Sequence, residues 1–195
     1  MNFPLSPEII SAILGPYGPL DRVKANWPLV EDALDRWGEY SPLCAIAAIA
    51  TIAVETGRFS PIKEQGGPTY LANLYENRKD LGNVNPGDGV KFRGRGFIQI
   101  TGRWDYEHFA SEVGQDLAGN PDLALEPPCA ADILAAYFGE RHIREYADQQ
   151  NWEMVRRRVN GGLSGWPRFA DLVMKLTAAL NNPPPVAGNS QEASP

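Results

Sequence analysis

Between Ser41 and Gly57 the chain reads SPLCAIAAIATIAVETG. Residues 42–54 of that stretch are apolar on every side of a helix rather than along one stripe. A helix of this kind has to be surrounded by other elements, so the rest of the chain is expected to pack around it. Ser41 is a side-chain cap and Pro42 a pre-set first helical position, which fixes where the helix begins. The run falls short of the roughly 18 apolar residues that a membrane span needs, and it reads as a core helix. It ends on a carboxylate, Glu55.

The other elements follow from periodicity and punctuation. Ser6, Pro7 and Glu8 start a short helix carrying Ile9, Ile10, Ile13 and Leu14, and Gly15 stops it. Pro28 is expected to open a second helix, with Leu29, Val30, Ala33, Leu34 and Trp37 on one face. Residues 66–96 are dense in turn formers, above all NVNPGDG, and read as a long, partly irregular excursion. Phe97 to Ile100 is expected as a short strand, within a small hairpin over about 91–100. Helical patterns resume at 104–113, 129–144, 152–159 and 167–180. The fold class expected is mainly α: a helical bundle around a central apolar helix, with a small β-hairpin lining a cleft. Residues 1–180 read as one domain. Residues 181–195, NNPPPVAGNSQEASP, read as a disordered tail.

Composition narrows the function. With 195 residues the chain has room for a real core. A net charge of -6 and a pI near 5.0 argue against a general nucleic-acid binder. Two cysteines, Cys44 and Cys129, give neither a disulfide framework nor zinc spacing. His108 and His142 lack ligand spacing, so no metal and no cofactor is expected. RGRG at 93–96 lacks the Lys-Ser/Thr of a phosphate loop. The N-terminus has no basic leader and carries Glu8 in its apolar stretch, so synthesis in the cytoplasm is expected, without stable membrane insertion. Arg156, Arg157 and Arg158 read as a solvated face.

The chemistry points to paired carboxylates. A carboxyl leaving an apolar helix at its last turn loses part of its hydration, and desolvation favours the protonated, donating form. Glu64, across a Gly- and Ser-containing loop from Glu55, can stay wet and ionised. Glycosidic bond cleavage needs two carboxyls in such unlike settings. Glu76, on the excursion, is a rival base, although it could equally pair with Arg78 or Arg95. Gly94 and Gly96 would let a backbone come close to a glycan.

Three segments in order carry a resemblance: AVETGRFSPIKEQ, then FRGRGFIQITGRWDY, then VNGG at 159–162. Over residues 41–180 the chain resembles glycoside hydrolase family 19, in particular the chitinase-like endolysins of phages and prophages. The resemblance implies an α-rich, lysozyme-like fold. It implies cleavage of β-1,4 links between N-acetylated amino sugars, with inversion. In those terms Glu55 is the general acid and Glu64 the general base. Thr101 holds the attacking water, Gln99 reaches the acetamido group, and Asn160 lies in the cleft. Val54 stands where many relatives have His, so one polar partner of the acid is missing.

Trp104 and Tyr106 are candidates for stacking on sugar rings. Arg168 is a candidate for touching substrate or tying an acid. The functional expectation is a monomeric peptidoglycan hydrolase, most simply an N-acetylmuramidase, released late to lyse a bacterial host, with no separate wall-binding module. A chitinase and a non-catalytic glycan-binding module are the alternatives. The basic cluster at Arg93 and Arg95 would favour an anionic polymer over neutral chitin.

Overall fold

The computed structural model describes residues 3–182. Among them the architecture is mainly helical, with one two-stranded antiparallel sheet. Helix α1 spans Pro7–Leu14 and α2 spans Leu20–Arg36; α3, the central helix, spans Pro42–Thr56. Every residue of α3 from Cys44 to Ala53 is buried, as its all-round apolarity requires. Ser41 accepts from the Cys44 amide at its start. Gly57, at φ 66, closes its end in the left-handed conformation that glycine adopts without steric cost.

Helix α2 corrects one expectation. Pro28 does not open a helix but sits inside one that begins at Leu20. A proline there removes a backbone donor. The buried stripe of Val23, Trp27, Val30 and Leu34 carries the helix through it. Buried Asn26 of α2 donates to the Phe59 carbonyl at 2.9 Å and to Ser60 Oγ at 3.4 Å. That contact pins the loop leaving α3, which separates Glu55 from Glu64.

Strand β1 (Ile62–Lys63) pairs with β2 (Arg95–Gly96), Ile62 opposite Gly96 and Lys63 opposite Arg95. Phe97 to Ile100 is not a strand. It turns back so that Ile100 bridges to Arg95, with Gln99 at φ 58 in the middle. Between the strands the excursion folds into α4 (Pro68–Tyr75), a single 3-10 turn at 79–81 and α5 (Asp88–Lys91). Polar ties hold it. Asp88 accepts from the amides of Val84 and Asn85 and takes a forked pair from Arg103 at 2.6 and 2.9 Å.

The remaining helices are α6 (Arg103–Val113), α7 (Pro127–Glu140), α8 (Ile143–Asp148), α9 (Trp152–Asn160) and α10 (Trp166–Asn181). The helix expected over 129–144 ends at Glu140, because His142 takes φ 54 and restarts the chain as α8. One core cluster surrounds α3. A second, of Phe92, Ile100, Tyr106, Phe109 and Ile133 among others, lies beneath β2 and α6, and Tyr137 packs against both. No helix among the described residues is long and apolar enough to cross a membrane. The tail expected from 181 lies outside the described residues beyond Asn182.

Candidate active site

Glu55 leaves the last turn of α3 with its side chain 17% exposed. Arg156 Nη1 donates to its Oε1 at 2.5 Å, and Arg156 Nε donates to the Ser164 carbonyl at 2.7 Å. The Arg156 side chain is only 2% exposed. Helix α9 thus turns one arginine of the RRR run into the core, against the expectation of a solvated face. The signal was present: Arg156 follows Trp152 by four positions and adjoins Val155, so it shares their inward face. Among the described residues Glu55 Oε2 has no protein partner.

Glu64 sits just past β1. Its amide donates to the Gly94 carbonyl, and its Oε2 accepts from the Gly94 amide at 3.1 Å. Its Oε1 accepts from the Tyr75 hydroxyl at 2.8 Å. Burial, and then this hydrogen bond to a carboxylate, push the Tyr75 hydroxyl up to about 12, so it stays a donor across the working pH range.

Three side chains converge over Gly94. A Cβ at that position would lie 2.9 Å from Gln99 Oε1, 3.3 Å from Glu64 Oε2 and 3.3 Å from Thr101 Oγ1. Only glycine leaves this space open. Gln99 Nε2 donates to the carbonyls of Ile62 and Gly96, both at 2.9 Å, which ties the turn to both strands and leaves its oxygen inward. Thr101 Oγ1 donates to the Gln99 carbonyl at 2.9 Å. The Thr101 amide donates to Asp105 at 3.1 Å. Burial raises the Asp105 carboxyl above its ordinary value, the Thr101 amide opposing this in part.

The other candidates fall in different places. Glu76 is engaged by the backbone, accepting from the amides of Gly87 at 2.7 Å and Gly89 at 2.8 Å. It staples the excursion and pairs with neither Arg78 nor Arg95, which bind Asp80 and Asp122. Tyr106 is fully buried, its hydroxyl donating to the Arg93 carbonyl and accepting from Arg95, so no sugar can stack on it. Trp104 is 58% exposed, with His108 stacked against it. Arg168 lies over the Tyr17 ring at 4.0 Å, and no contact joins it to either carboxylate. Asn160 is exposed at the end of α9, four positions after Arg156. Next to it, the Val159 carbonyl accepts from Tyr137.

Among the described residues no group of three or more His, Cys, Asp or Glu could hold a metal ion. His108 and His142 are paired with Glu140 and Glu145. Cys44 is buried and Cys129 half-buried, both as thiols.

No family model matches the chain. It is 38% identical over 126 residues to a glycosyl hydrolase family 19 domain-containing protein of Haemophilus influenzae, a match covering 62% of this chain and 58% of that one. It is 32% identical over 74 residues to an endochitinase of Arabidopsis thaliana, covering 38% of this chain and 26% of that protein. The chain therefore spans less than two thirds of these relatives' own lengths. In fold it is similar to chitinase C from Streptomyces griseus, with a TM-score of 0.67 at 16% identity, covering 93% of this chain and 78% of that one. A bacterial family 19 chitinase aligns with a TM-score of 0.65 at 17% identity, over 88% of this chain and 94% of its own. In sequence the chain is thus similar, over part of its length, to a glycosyl hydrolase family 19 domain-containing protein and to an endochitinase, and in fold it is similar to solved chitinases.

Proposed function

We propose that the chain is an inverting glycoside hydrolase that cuts the β-1,4 links of bacterial peptidoglycan, acting as an endolysin. The observation that carries this reading is the convergence of Glu64, Gln99 and Thr101 over Gly94, with Glu55 held by Arg156 on a separate element. In the proposed reaction Glu55, protonated on Oε2 while Arg156 holds Oε1, gives that proton to the glycosidic oxygen. The bond from that oxygen to the anomeric carbon breaks, and its electron pair stays on the departing sugar. A water attacks the anomeric carbon from the opposite face and loses its proton to Glu64. The Thr101 proton is held by the Gln99 carbonyl, so the hydroxyl oxygen is free to accept from that water. The inward Gln99 oxygen can accept from the acetamido N–H. Inverting enzymes place their carboxyls roughly 6.5–9.5 Å apart to admit the water, a spacing open to two carboxyls carried on separate elements.

In this reading the protein is a monomer made in the cytoplasm, and it reaches the wall on release at host lysis. A second reading, a chitinase acting on poly-N-acetylglucosamine, is favoured by the endochitinase relative and the chitinase structures. Mass spectrometry of digests decides between them. New reducing muramic acid in muropeptides supports the first, and soluble chito-oligomers from chitin alone support the second. Unchanged sacculi and unchanged chitin would leave a non-catalytic glycan-binding module.

A further inference from the structure

Of the two cations expected to favour an anionic polymer, Arg95 is not in place to do so. Arg95 is buried and bound to Asp122 and Tyr106, and Arg93 Nε turns onto the Val90 carbonyl. A groove of about 440 Å³ is lined by Thr56, Arg58, Ile62, Lys63 and Gln65. All five lie within three positions of Glu55 or Glu64 in the chain.

The groove lining holds two cations, Arg58 and Lys63, and no acid. Lys63 and Arg95 share one carboxylate, Asp122, at 2.7 to 3.0 Å. Arg58 is exposed, and among the described residues it forms no ion pair. Arg58 is therefore the unpaired cation of the lining. The Thr56 hydroxyl already donates to the Ile52 carbonyl and accepts from the Arg58 amide, which leaves the guanidinium as the free donor. Its planar fork matches a carboxylate.

We propose that this groove binds a carboxylate carried on the side chain of a glycan sugar, and so selects acid-bearing amino-sugar polymers over chitin. This rests on the glycan-hydrolase reading and adds its substrate selectivity. Two sources share the chemistry: the lactyl carboxylate of muramic acid and the carboxylates of its peptide stem.

The test uses the full chain carrying Glu55→Gln, so that glycans bind without being cut, with and without Arg58→Gln. Dissociation constants are measured by calorimetric titration against stem-bearing muropeptide oligomers, the same oligomers stripped of stems, and chitotetraose. Arg58→Gln is expected to weaken binding of an acid-bearing glycan about tenfold, to flatten its salt dependence, and to leave chitotetraose unchanged. A loss on stripped oligomers assigns the lactyl group, and a loss on stem-bearing ones alone assigns the stem. Equal loss on chitotetraose, no change on either acid-bearing glycan, or no glycan binding at all would overturn the proposal. If the unsubstituted chain releases no new reducing ends, the hydrolase reading fails whatever Arg58 does.

Discussion

Arg156 and Glu55 form an ion pair at 2.5 Å between α9 and the last turn of α3, with the arginine almost fully buried. Breaking such a pair from one side leaves an uncompensated buried charge, at a cost of about 3–5 kcal/mol. Glu55→Gln is therefore expected to lose turnover by about 10²–10⁴ and also to melt earlier. Adding Arg156→Met should recover stability without recovering activity. Thermal melts of the two variants check this, and equal melting temperatures would break the argument.

Glu76 and Glu64 have separate jobs in the structure, and paired substitutions should separate them. Glu76→Gln keeps one acceptor but loses the charge that holds the Gly87 and Gly89 amides, which costs about 1–3 kcal/mol. Most of the turnover should remain. Glu64→Gln should abolish turnover with little change in melting. The reverse pattern in a release assay on sacculi would make Glu76 the base.

Asp105 sets a pH dependence whose sign follows from its raised pKa. The folded state holds the Asp105 proton more tightly than the unfolded chain does. This group therefore subtracts stability at neutral pH, and the deficit disappears as pH falls through its folded value toward the ordinary value of about 4. Asn at 105 can still accept from the Thr101 amide. Asp105→Asn should thus be more stable than the parent at pH 7, with the gain shrinking toward pH 4. A gain that grew on acidification would show that burial is not what raises this carboxyl.

Gly94→Ala tests the crowded space between base and turn. The new methyl would meet Gln99 Oε1 at 2.9 Å. The Gln99 amide nitrogen is tied to two carbonyls, so the side chain cannot swing away without loosening β1 from β2. Turnover is expected to fall by at least about tenfold, for a packing cost of about 1–3 kcal/mol. An alanine variant with full activity would mean that these three side chains need not converge.

Much of this arrangement was legible locally. The all-round apolar run marked the central helix, its Ser-Pro start gave where it begins, and one motif held both Glu55 and Glu64. What was not legible depends on tertiary contacts. Arg156 is paired through the fold with a residue 101 positions away. Pro28 sits mid-helix because the buried stripe from Val23 to Leu34 outweighs a missing backbone donor. Tyr106 resembles a sugar-stacking aromatic in sequence, yet it is walled in by Arg95 and Phe92. Residues 97–100 read as a strand by composition, but the positive φ of Gln99, held by its own amide, makes them a turn.

The most direct measurement is proton NMR of the anomeric signals in the first minutes of glycan hydrolysis. A water held by Glu64 and Thr101 opposite Glu55 requires the α-anomer to appear first from a β-linked substrate, with the β-anomer growing in only by mutarotation. The β-anomer appearing first would mean retention, through a covalent intermediate on a carboxylate or through the substrate's own acetamido group, and would contradict the assignment of Glu64 as a base acting through water.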